Sequence, residues 1–397
     1  MIFKEILDNV CPKGVIQVQL EDLVSESRER NKACSFSDVR SVSTRYGLIS
    51  TNEYFDNSPA SKKTSAYKVV RPGMFAYNPA RINIGSIALS SLKQPVIVSP
   101  MYIVFSVDEE KVNPQYLLTW MKSNRGIHEI SSRVEVGARF RLPISTLKRI
   151  SIPLPPLSVQ IEIVNKLRTL QQLITKLNEE IVLREKQFEI IHNTLFDSLS
   201  NAAPVSIGEL FEFKNGLNKG KEFFGKGSSI INYTDVYRNR FIRTEIIGGK
   251  VQLEEKEIER YKVRKGDVFF TRTSETKEEV GLTSVLLDDI ENCTFSGFLL
   301  RARPKTNIIL PEFCQYCFTT REIRKEIIKS STVTTRALTN GTTLSKIKLR
   351  LPSLDKQRSI VEKLDAFTTL ISKLQEERDL RQKQYEYYRE KFLTFNN

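Results

Sequence analysis

Residues 158–200 carry the most regular hydrophobic pattern in the chain. Apolar residues follow one another in alternating steps of four and three, and Arg184 fills the one missing position. The apolar positions are Ile163, Leu167, Leu170, Ile174, Leu177, Ile181, Phe188, Ile191 and Leu195. This heptad pattern is typical of a long helix that packs lengthwise against another helix.

The same pattern recurs 197 residues further along the chain. Its apolar positions are Ile360, Leu364, Phe367, Ile371, Leu374, Tyr385, Tyr388 and Phe392, with Arg378 and Arg381 in the gaps. Polar positions agree as well, since Gln160 aligns with Gln357 and Lys166 aligns with Lys363. An ungapped match of this length at one fixed offset indicates an internal repeat.

The repeat predicts two halves, each made of a globular part followed by a long helix. Short alternating runs predict strands in both globular parts, and residues 114–130 and 311–327 each predict one helix. The expected boundaries are residues 1–152 and 201–350 for the globular parts, and 153–200 and 351–397 for the helices. Two like helices most simply pair antiparallel. The expected fold class is therefore α+β, with two α/β domains joined by two long antiparallel coiled-coil helices and a pseudo-two-fold internal repeat.

The heptad seam leaves two questions open. A coiled-coil arm for dimerisation would produce the same pattern. Arg184, Arg378 and Arg381 lie inside the seam, where they snorkel to solvent, pair with glutamates or mark a face for another subunit.

The net charge of +14 and the isoelectric point near 9.4 favour a polyanionic partner, with nucleic acid first and an anionic membrane second. An ordinary basic protein without such a partner is the alternative. The sequence has no run of 18 apolar residues, so we expect no membrane span. The first residues, MIFKEILDNVCPKG, do not resemble a signal peptide, which predicts a cytoplasmic protein.

The cysteines predict reduced thiols rather than a metal site. They are Cys11, Cys34, Cys293, Cys314 and Cys317. The pair at 314 and 317 has the spacing of half a zinc site. At the offset of 197, however, it aligns with Leu117 and Trp120 on the apolar side of the predicted helix, so buried thiols are expected. Only two histidines are present, too few to complete a site.

Motifs for catalysis are missing as well. The sequence contains neither a Gly-x-Gly-x-x-Gly string nor a Gly-x4-Gly-Lys-Ser/Thr string. Tyr77-Asn78-Pro79-Ala80 partly matches the Asn/Asp-Pro-Pro-aromatic segment of amino-methyltransferases, but it lacks the second proline and the aromatic residue. We interpret it as a turn, and we expect no catalytic activity from this chain.

With the repeat established, the chain resembles the specificity subunit of type I restriction-modification enzymes over nearly its whole length. The most specific elements are the two proline-containing helix entries, Ile152-Pro153-Leu154-Pro155-Pro156-Leu157 and Leu349-Arg350-Leu351-Pro352. The opening Cys11-Pro12-Lys13-Gly14-Val15 is similar to a common opening of the family. The segments around Arg71-Pro72-Gly73 and Arg264-Lys265-Gly266-Asp267 resemble its strand-loop segments. Ser353 replaces one proline of the first entry, a minor departure.

The resemblance implies two target recognition domains, each of which reads one half of a bipartite double-stranded DNA site. It implies that the long helices separate the two readers and dock two methylation subunits. Those subunits would bring S-adenosylmethionine and methylate adenine at N6, and two motor-nuclease subunits would use ATP and magnesium. No cofactor is expected on this chain.

Side chains suited to base readout occur in the divergent loops of both domains. The candidates are Thr44, Arg45, Tyr46, Asn78, Arg81, Arg139 and Arg141 in the first domain, and Tyr233, Thr234, Arg238, Arg272, Thr273, Ser274 and Arg336 in the second. Arg139 and Arg336 are the strongest pair, because the repeat places a charge at one position in two loops that otherwise differ. Many of these residues are expected to contact phosphate rather than bases.

One alternative belongs to another class of protein. A coiled-coil adaptor could use the same basic surface to bind RNA or acidic partners without reading sequence. The divergent loops on a repeated frame disfavour such an adaptor. Adenine methylation at a split DNA motif would distinguish a specificity subunit from an adaptor.

Overall fold

The computed structural model of the chain describes residues 14–44, 46–50, 64–133, 140–333 and 335–395. The chain forms two units. The first unit comprises Met1–Asn178 and Glu376–Asn397, and the second unit comprises Glu179–Gln375. Each unit therefore holds one globular part and one segment of each long helix. The proposed domain boundaries remain predictions.

The described residues of the first unit form ten short strands and three short α-helices before the first long helix. The strands are β1 (Gln17–Gln19), β2 (Val24–Ser27), β3 (Arg40–Ser43), β4 (Gly47–Ser50), β5 (Lys68–Val70), β6 (Phe75–Tyr77), β7 (Ile87–Leu89), β8 (Val96–Val98), β9 (Ile103–Val107) and β10 (Ser151–Pro153). The helices are α1 (Pro114–Met121), α2 (Asn124–Ser131) and α3 (Ile144–Lys148), and the long helix α4 (Leu157–Asp197) follows them.

A four-stranded antiparallel sheet in the order β2-β9-β6-β7 forms the centre of the first unit. Phe75 on β6 lies opposite Phe105 on β9, and their rings stack with centroids 4.8 Å apart. Helix α1 packs Tyr116 and Trp120, both fully buried, into the same hydrophobic core. Strand β1 pairs with β10, so the start of the globular part is joined to the entry of α4.

In the second unit, the part that the structure describes contains thirteen strands and six short α-helices before the second long helix. The strands are β11 (Pro204–Ser206), β12 (Phe211–Asn215), β13 (Phe224–Ile231), β14 (Phe241–Ile242), β15 (Lys250–Val251), β16 (Val268–Thr271), β17 (Thr273–Ser274), β18 (Thr283–Leu286), β19 (Thr294–Phe295), β20 (Leu299–Pro304), β21 (Thr332–Val333), β22 (Ala337–Leu338) and β23 (Lys348–Arg350). The helices are α5 (Ile207–Leu210), α6 (Tyr233–Arg238), α7 (Glu255–Tyr261), α8 (Pro311–Phe318), α9 (Arg321–Ser330), α10 (Gly341–Ser345) and the long helix α11 (Leu354–Leu393).

The internal repeat extends to the sheets. The second unit has a five-stranded sheet in the order β12-β20-β16-β18-β14, whose first four strands correspond to β2, β9, β6 and β7. Strand β11 pairs with β23 as β1 pairs with β10. The remaining sheets differ between the units. The second unit has two three-stranded sheets, β15-β13-β19 and β17-β22-β21, and the first unit has the two-stranded pairs β3-β4 and β5-β8. The α+β class and the duplicated plan are confirmed.

The single helix expected over residues 114–130 is wrong, because the structure has two helices there. Helix α1 ends at Met121, and Ser123 caps the start of α2 by accepting a hydrogen bond from the Gly126 backbone N–H. The chain turns so tightly that a Cβ atom at Gly126 would lie 2.1 Å from the Trp120 carbonyl oxygen. Residues 311–327 break in the same way, with Thr320 as the cap of α9.

Both long helices form as the heptad pattern predicts, and every seam position is buried or half-buried. In the first unit, the Lys166 ammonium on α4 lies 5.9 Å from the ring centroid of Phe392 on α11. Leu167 and Gln171, further along α4, share a cavity with Tyr385, which lies earlier on α11. The two segments in this unit therefore run in opposite directions.

The seam arginines form pairs along their own helices. Arg184 donates to Glu180 at 2.7 Å, and Arg381 donates to Glu377 at 2.9 Å, at the same offset of 197. Arg378 pairs with the neighbouring Asp379 instead. Pairing with acidic residues is thus observed, and a further role for these arginines stays open.

A buried glutamine holds each long helix to its globular part. The Gln160 carbonyl oxygen accepts from the Asn113 backbone N–H at 2.8 Å, and its amide group donates to the carbonyls of Lys111 and Pro155. Gln357 repeats these contacts with Leu310, Ile308 and Pro352. All partners are backbone atoms. This arrangement explains why glutamine recurs in both halves although two of its three partner residues differ, since Lys111 and Asn113 correspond to Ile308 and Leu310.

Gln160→Ala should lower the stability of the first unit by about 1–3 kcal/mol, because it leaves one buried and two half-buried backbone groups without their partner. Trp120 is the only tryptophan and lies in the first-unit core, so its fluorescence during urea unfolding measures the effect. Gln172→Ala, at an exposed position of α4, is the matched control. An unchanged Trp120 transition in the Gln160 variant would contradict the role of this side chain.

Candidate nucleic-acid interface

The turn between β3 and β4 in the first unit presents two exposed candidates, Thr44 and Tyr46. Lys122 donates from its ammonium to the Thr44 carbonyl at 3.1 Å, and burial lowers the pKa of this lysine. Gly85 has a φ of +82°, and a Cβ atom there would approach the Thr44 methyl group to 3.2 Å. The hairpin turn therefore lies against the loop that precedes β7.

Residues 78–86 form this loop. The Asn78 side-chain oxygen accepts from the Ala80 backbone N–H at 3.0 Å, and the Asn78 backbone N–H donates to Ser86 at 3.1 Å. The interpretation of Tyr77-Asn78-Pro79-Ala80 as a turn is confirmed. The turn occupies one lone pair of the Asn78 side-chain oxygen, and the amide hydrogens of Asn78 are not used by the turn.

Two arginines extend from the same region. Arg81 leads into the loop's short 3-10 helix, and Arg141 is held beside the loop because the Leu142 backbone N–H donates to the Pro79 carbonyl at 2.9 Å. Both arginines are exposed, and neither has an ion-pair partner among the residues that the structure describes. Arg45 and Arg139 lie outside the described residues, so their roles stay predictions.

In the second unit, helix α6 presents a pair of stacked tyrosines. The rings of Tyr233 and Tyr237 lie 5.7 Å apart at an interplanar angle of 20°. The Tyr237 hydroxyl donates to Glu279 at 2.7 Å, and the Ser274 hydroxyl donates to the same carboxylate at 3.4 Å. The hydrogen bond from Tyr237 holds the pKa of Glu279 below its usual value. Tyr237 was not among the candidate residues. Its spacing of four residues from Tyr233 on a helix was the signal that could have identified it as a neighbour of that candidate.

This network changes the interpretation of Ser274. The residue is 5% exposed, pairs with Ala337 in the sheet and uses its hydroxyl on Glu279 and on the Thr276 backbone. Such a side chain has little surface left for a base. The burial of Tyr233 raises the pKa of its phenol, so this ring is neutral at physiological pH.

The remaining candidates of the second unit surround this network. Thr273 pairs with Leu338 in the sheet that holds Ser274, and Arg336 lies in the turn between β21 and β22, 3.6 Å from Glu275. Arg272 bonds through its backbone to Phe298 and Thr339, while its guanidinium has no partner among the described residues. Thr234 and Arg238 are exposed and lie one turn apart on α6.

The two surfaces occupy corresponding places on the repeated frame. Asn78 directly follows β6, and Arg272 directly follows the corresponding strand β16. Gly85 precedes β7 with a φ of +82°, and Gly281 precedes β18 with a φ of +66°. The same frame therefore presents different side chains at the same position in each unit.

The cysteine pair is part of the second-unit core. Cys314 and Cys317 are 0% and 2% exposed on α8, and burial raises the pKa of the Cys317 thiol to about 12. The interpretation of these residues as buried thiols is confirmed. Within the described ranges, no group of three or more His, Cys, Asp or Glu side chains is arranged to hold a metal ion. No helix among the described residues has the length and apolar character to cross a membrane.

The fold is that of a duplicated α+β protein. Its two equivalent sheet frames carry different loop surfaces, and each frame is followed by a long helix. The chain belongs to the family of the type I restriction modification DNA specificity domain, whose model matches residues 12–183 and again residues 200–381.

Relatives agree with this assignment, and solved structures share the fold. The chain is 25% identical to the EcoR124I/EcoR124II specificity subunit of Escherichia coli, with 75% of this chain and 74% of that protein covered. It is similar in fold to a chain from a study of complex assembly and conformational transition of the type I restriction-modification system, with a TM-score of 0.61, 17% identity and coverage of 96% and 98%. The S subunit from M. genitalium has a TM-score of 0.54, 12% identity and 96% coverage of both chains.

Proposed function

We propose that this specificity subunit reads a bipartite, asymmetric double-stranded DNA site, one half through residues 1–152 and the other through residues 201–350. The observation that carries the proposal is the repeated frame with unlike loop surfaces. A frame that is duplicated while its loops diverge is suited to two readers of the same kind with different targets. Exposed guanidiniums at Arg81, Arg141 and Arg238 supply charge for phosphates and donors for bases.

The long helices support a second part of the proposal, the docking of two methylation subunits. Leu183 and Ile190 lie one heptad apart on α4 and are 48% and 65% exposed. At the offset of 197, Leu380 and Tyr387 on α11 are 63% and 59% exposed. A contiguous apolar patch on a surface favours contact with another protein, and Val182, 49% exposed, extends the exposed apolar surface beside Leu183. Because the pair occurs once in each unit, it supports docking of two copies of one partner.

The chemistry in this proposal belongs to partner subunits. The methylation subunits supply S-adenosylmethionine and transfer a methyl group to adenine, while two motor-nuclease subunits use ATP and magnesium for restriction. This chain contributes DNA recognition and positions the partners in the cytoplasm, without a catalytic group or cofactor of its own.

Methylation mapping tests the proposal directly. Cells that produce this chain together with its methylation subunits should carry N6-methyladenine at one split motif, with two defined halves and an undefined spacer of fixed length. Omission of this chain should remove the methylation. A continuous motif, or methylation that persists without this chain, would contradict the bipartite reader.

Arg336→Ala should weaken recognition of the second half-site by roughly 1–3 kcal/mol if the guanidinium binds a guanine edge. Binding to duplexes with single-base changes in that half measures the effect, since specificity should relax at one position. Glu275→Ala is the matched control, because it removes the same 3.6 Å ion pair without removing the guanidinium. Equal losses in both variants would indicate that only the ion pair matters.

A further inference from the structure

A cavity of about 220 Å³ lies between α1, α4 and α11 in the first unit. Its wall is formed by Val164 and Leu167 of α4 and by Tyr385 of α11, and Thr119 of α1 lies beside them. Three longer polar side chains complete the lining, namely Gln115, Arg168 and Gln171. None of these three side chains has a hydrogen-bond or ion-pair partner among the described residues. The cavity is open to solvent on the side of these three residues, which are exposed. A closed apolar cavity of roughly 150 Å³ holds a benzene ring, so the space here is large enough for one.

The second unit shows what fills the corresponding space. At the offset of 197, Thr119 corresponds to Tyr316, and the phenol of Tyr316 is 1% exposed. Its ring lies 6.4 Å from that of Phe188, the counterpart of Tyr385. Its hydroxyl donates to Asp365, the counterpart of Arg168. In the first unit, Thr119 stands where the second unit has Tyr316. The space that the Tyr316 ring fills in the second unit is therefore left without a ring in the first.

The end of this site has the opposite charge in the two units. In the second unit the carboxylate of Asp365 accepts the hydrogen bond of a phenol. In the first unit the corresponding residue is Arg168, which lines the cavity, and Gln171 corresponds to Thr368. An arginine donates hydrogen bonds and attracts an anion, and a carboxylate matches its geometry with two parallel bonds.

We propose that the first unit binds a small aromatic carboxylate of the benzoate class in this cavity. The ring occupies the space that Tyr316 fills in the second unit, between Leu167 and Tyr385. The carboxylate extends to the Arg168 guanidinium, and the Gln171 amide donates a further hydrogen bond. The site depends on neither DNA nor partner subunits.

Titration calorimetry of the full chain with benzoate tests the proposal, with benzyl alcohol as a probe of similar shape that lacks the charge. We expect benzoate to bind with a dissociation constant of roughly 1 mM or tighter, as befits a ligand of this size. Benzyl alcohol should bind about tenfold more weakly, because it loses the charged pair. No binding of benzoate at several millimolar, or equal binding of acetate, would overturn the proposal.

Two substitutions locate the ligand. Thr119→Tyr places the second unit's own ring in the cavity, so it should abolish benzoate binding and leave the Trp120 unfolding transition at or above its wild-type midpoint. Arg168→Gln, at an exposed position that tolerates the change, should weaken benzoate about tenfold while leaving benzyl alcohol unchanged. Unaltered benzoate affinity in either variant would place the ligand elsewhere and refute the site.

Discussion

Exchange of residues 1–151 for the same part of another specificity subunit should change one half of the methylated sequence and leave the other half unaltered. The first-unit surface around Thr44, Asn78 and Arg81 lies entirely within the exchanged segment. Part of the junction is insensitive to the foreign sequence, because Gln160 binds backbone atoms of residues 111 and 113, and β1 pairs with β10 through backbone hydrogen bonds. Ile163 and Leu167 of α4 also pack into the core of the exchanged part, so the donor segment must supply apolar residues there. A large and specific effect is therefore expected without loss of folding.

Methylation mapping in cells that contain the chimera and the methylation subunits provides the measurement. The reciprocal exchange of residues 201–350 is the matched control, and it should change only the other half. If both halves change together in either chimera, the two units form one composite reader, and the assignment of one half-site to each domain is wrong.

The heptad pattern and the offset of 197 predicted the long helices, the duplicated frame and the recurrence of Gln160 as Gln357. These features follow from local periodicity and from copying, which a single sequence displays directly. The break between α1 and α2 was not predicted, because it depends on the close approach of Gly126 to Trp120. The parallel pairing of β14 with β18 in the second unit was not predicted either, since Phe241 pairs with Val285, which is distant in the sequence.

The candidate surfaces were predictable as regions and only partly as residues. Arg81, Arg141 and Arg238 are exposed, as expected of contacts with DNA. Ser274 belongs to a network with Glu279 and Tyr237, residues that are 42 positions apart. Whether a polar side chain is available to a ligand depends on such tertiary hydrogen bonds, which residue type alone does not reveal.

Charges introduced at the exposed apolar pairs of the two long helices, Leu183 with Ile190 and Leu380 with Tyr387, should each release one methylation subunit. Leu183→Lys combined with Ile190→Lys should remove one methylation subunit from the assembly and leave the other bound. Leu380→Lys combined with Tyr387→Lys should remove the other one. Two charges placed in an apolar interface should weaken that contact by about 100-fold or more, which corresponds to roughly 3 kcal/mol.

Native mass spectrometry of the assembly reconstituted from purified subunits distinguishes the expected masses. Asn178→Lys combined with Glu185→Lys is the matched control, because these exposed residues are also one heptad apart on α4 but point to a different side of the helix. The control should keep both methylation subunits. Each apolar-pair variant should yield a complex with one, because the repeat gives each unit its own copy of the contact. Loss of both subunits from a single variant would show that one continuous surface holds them, and retention of both would exclude these side chains from docking.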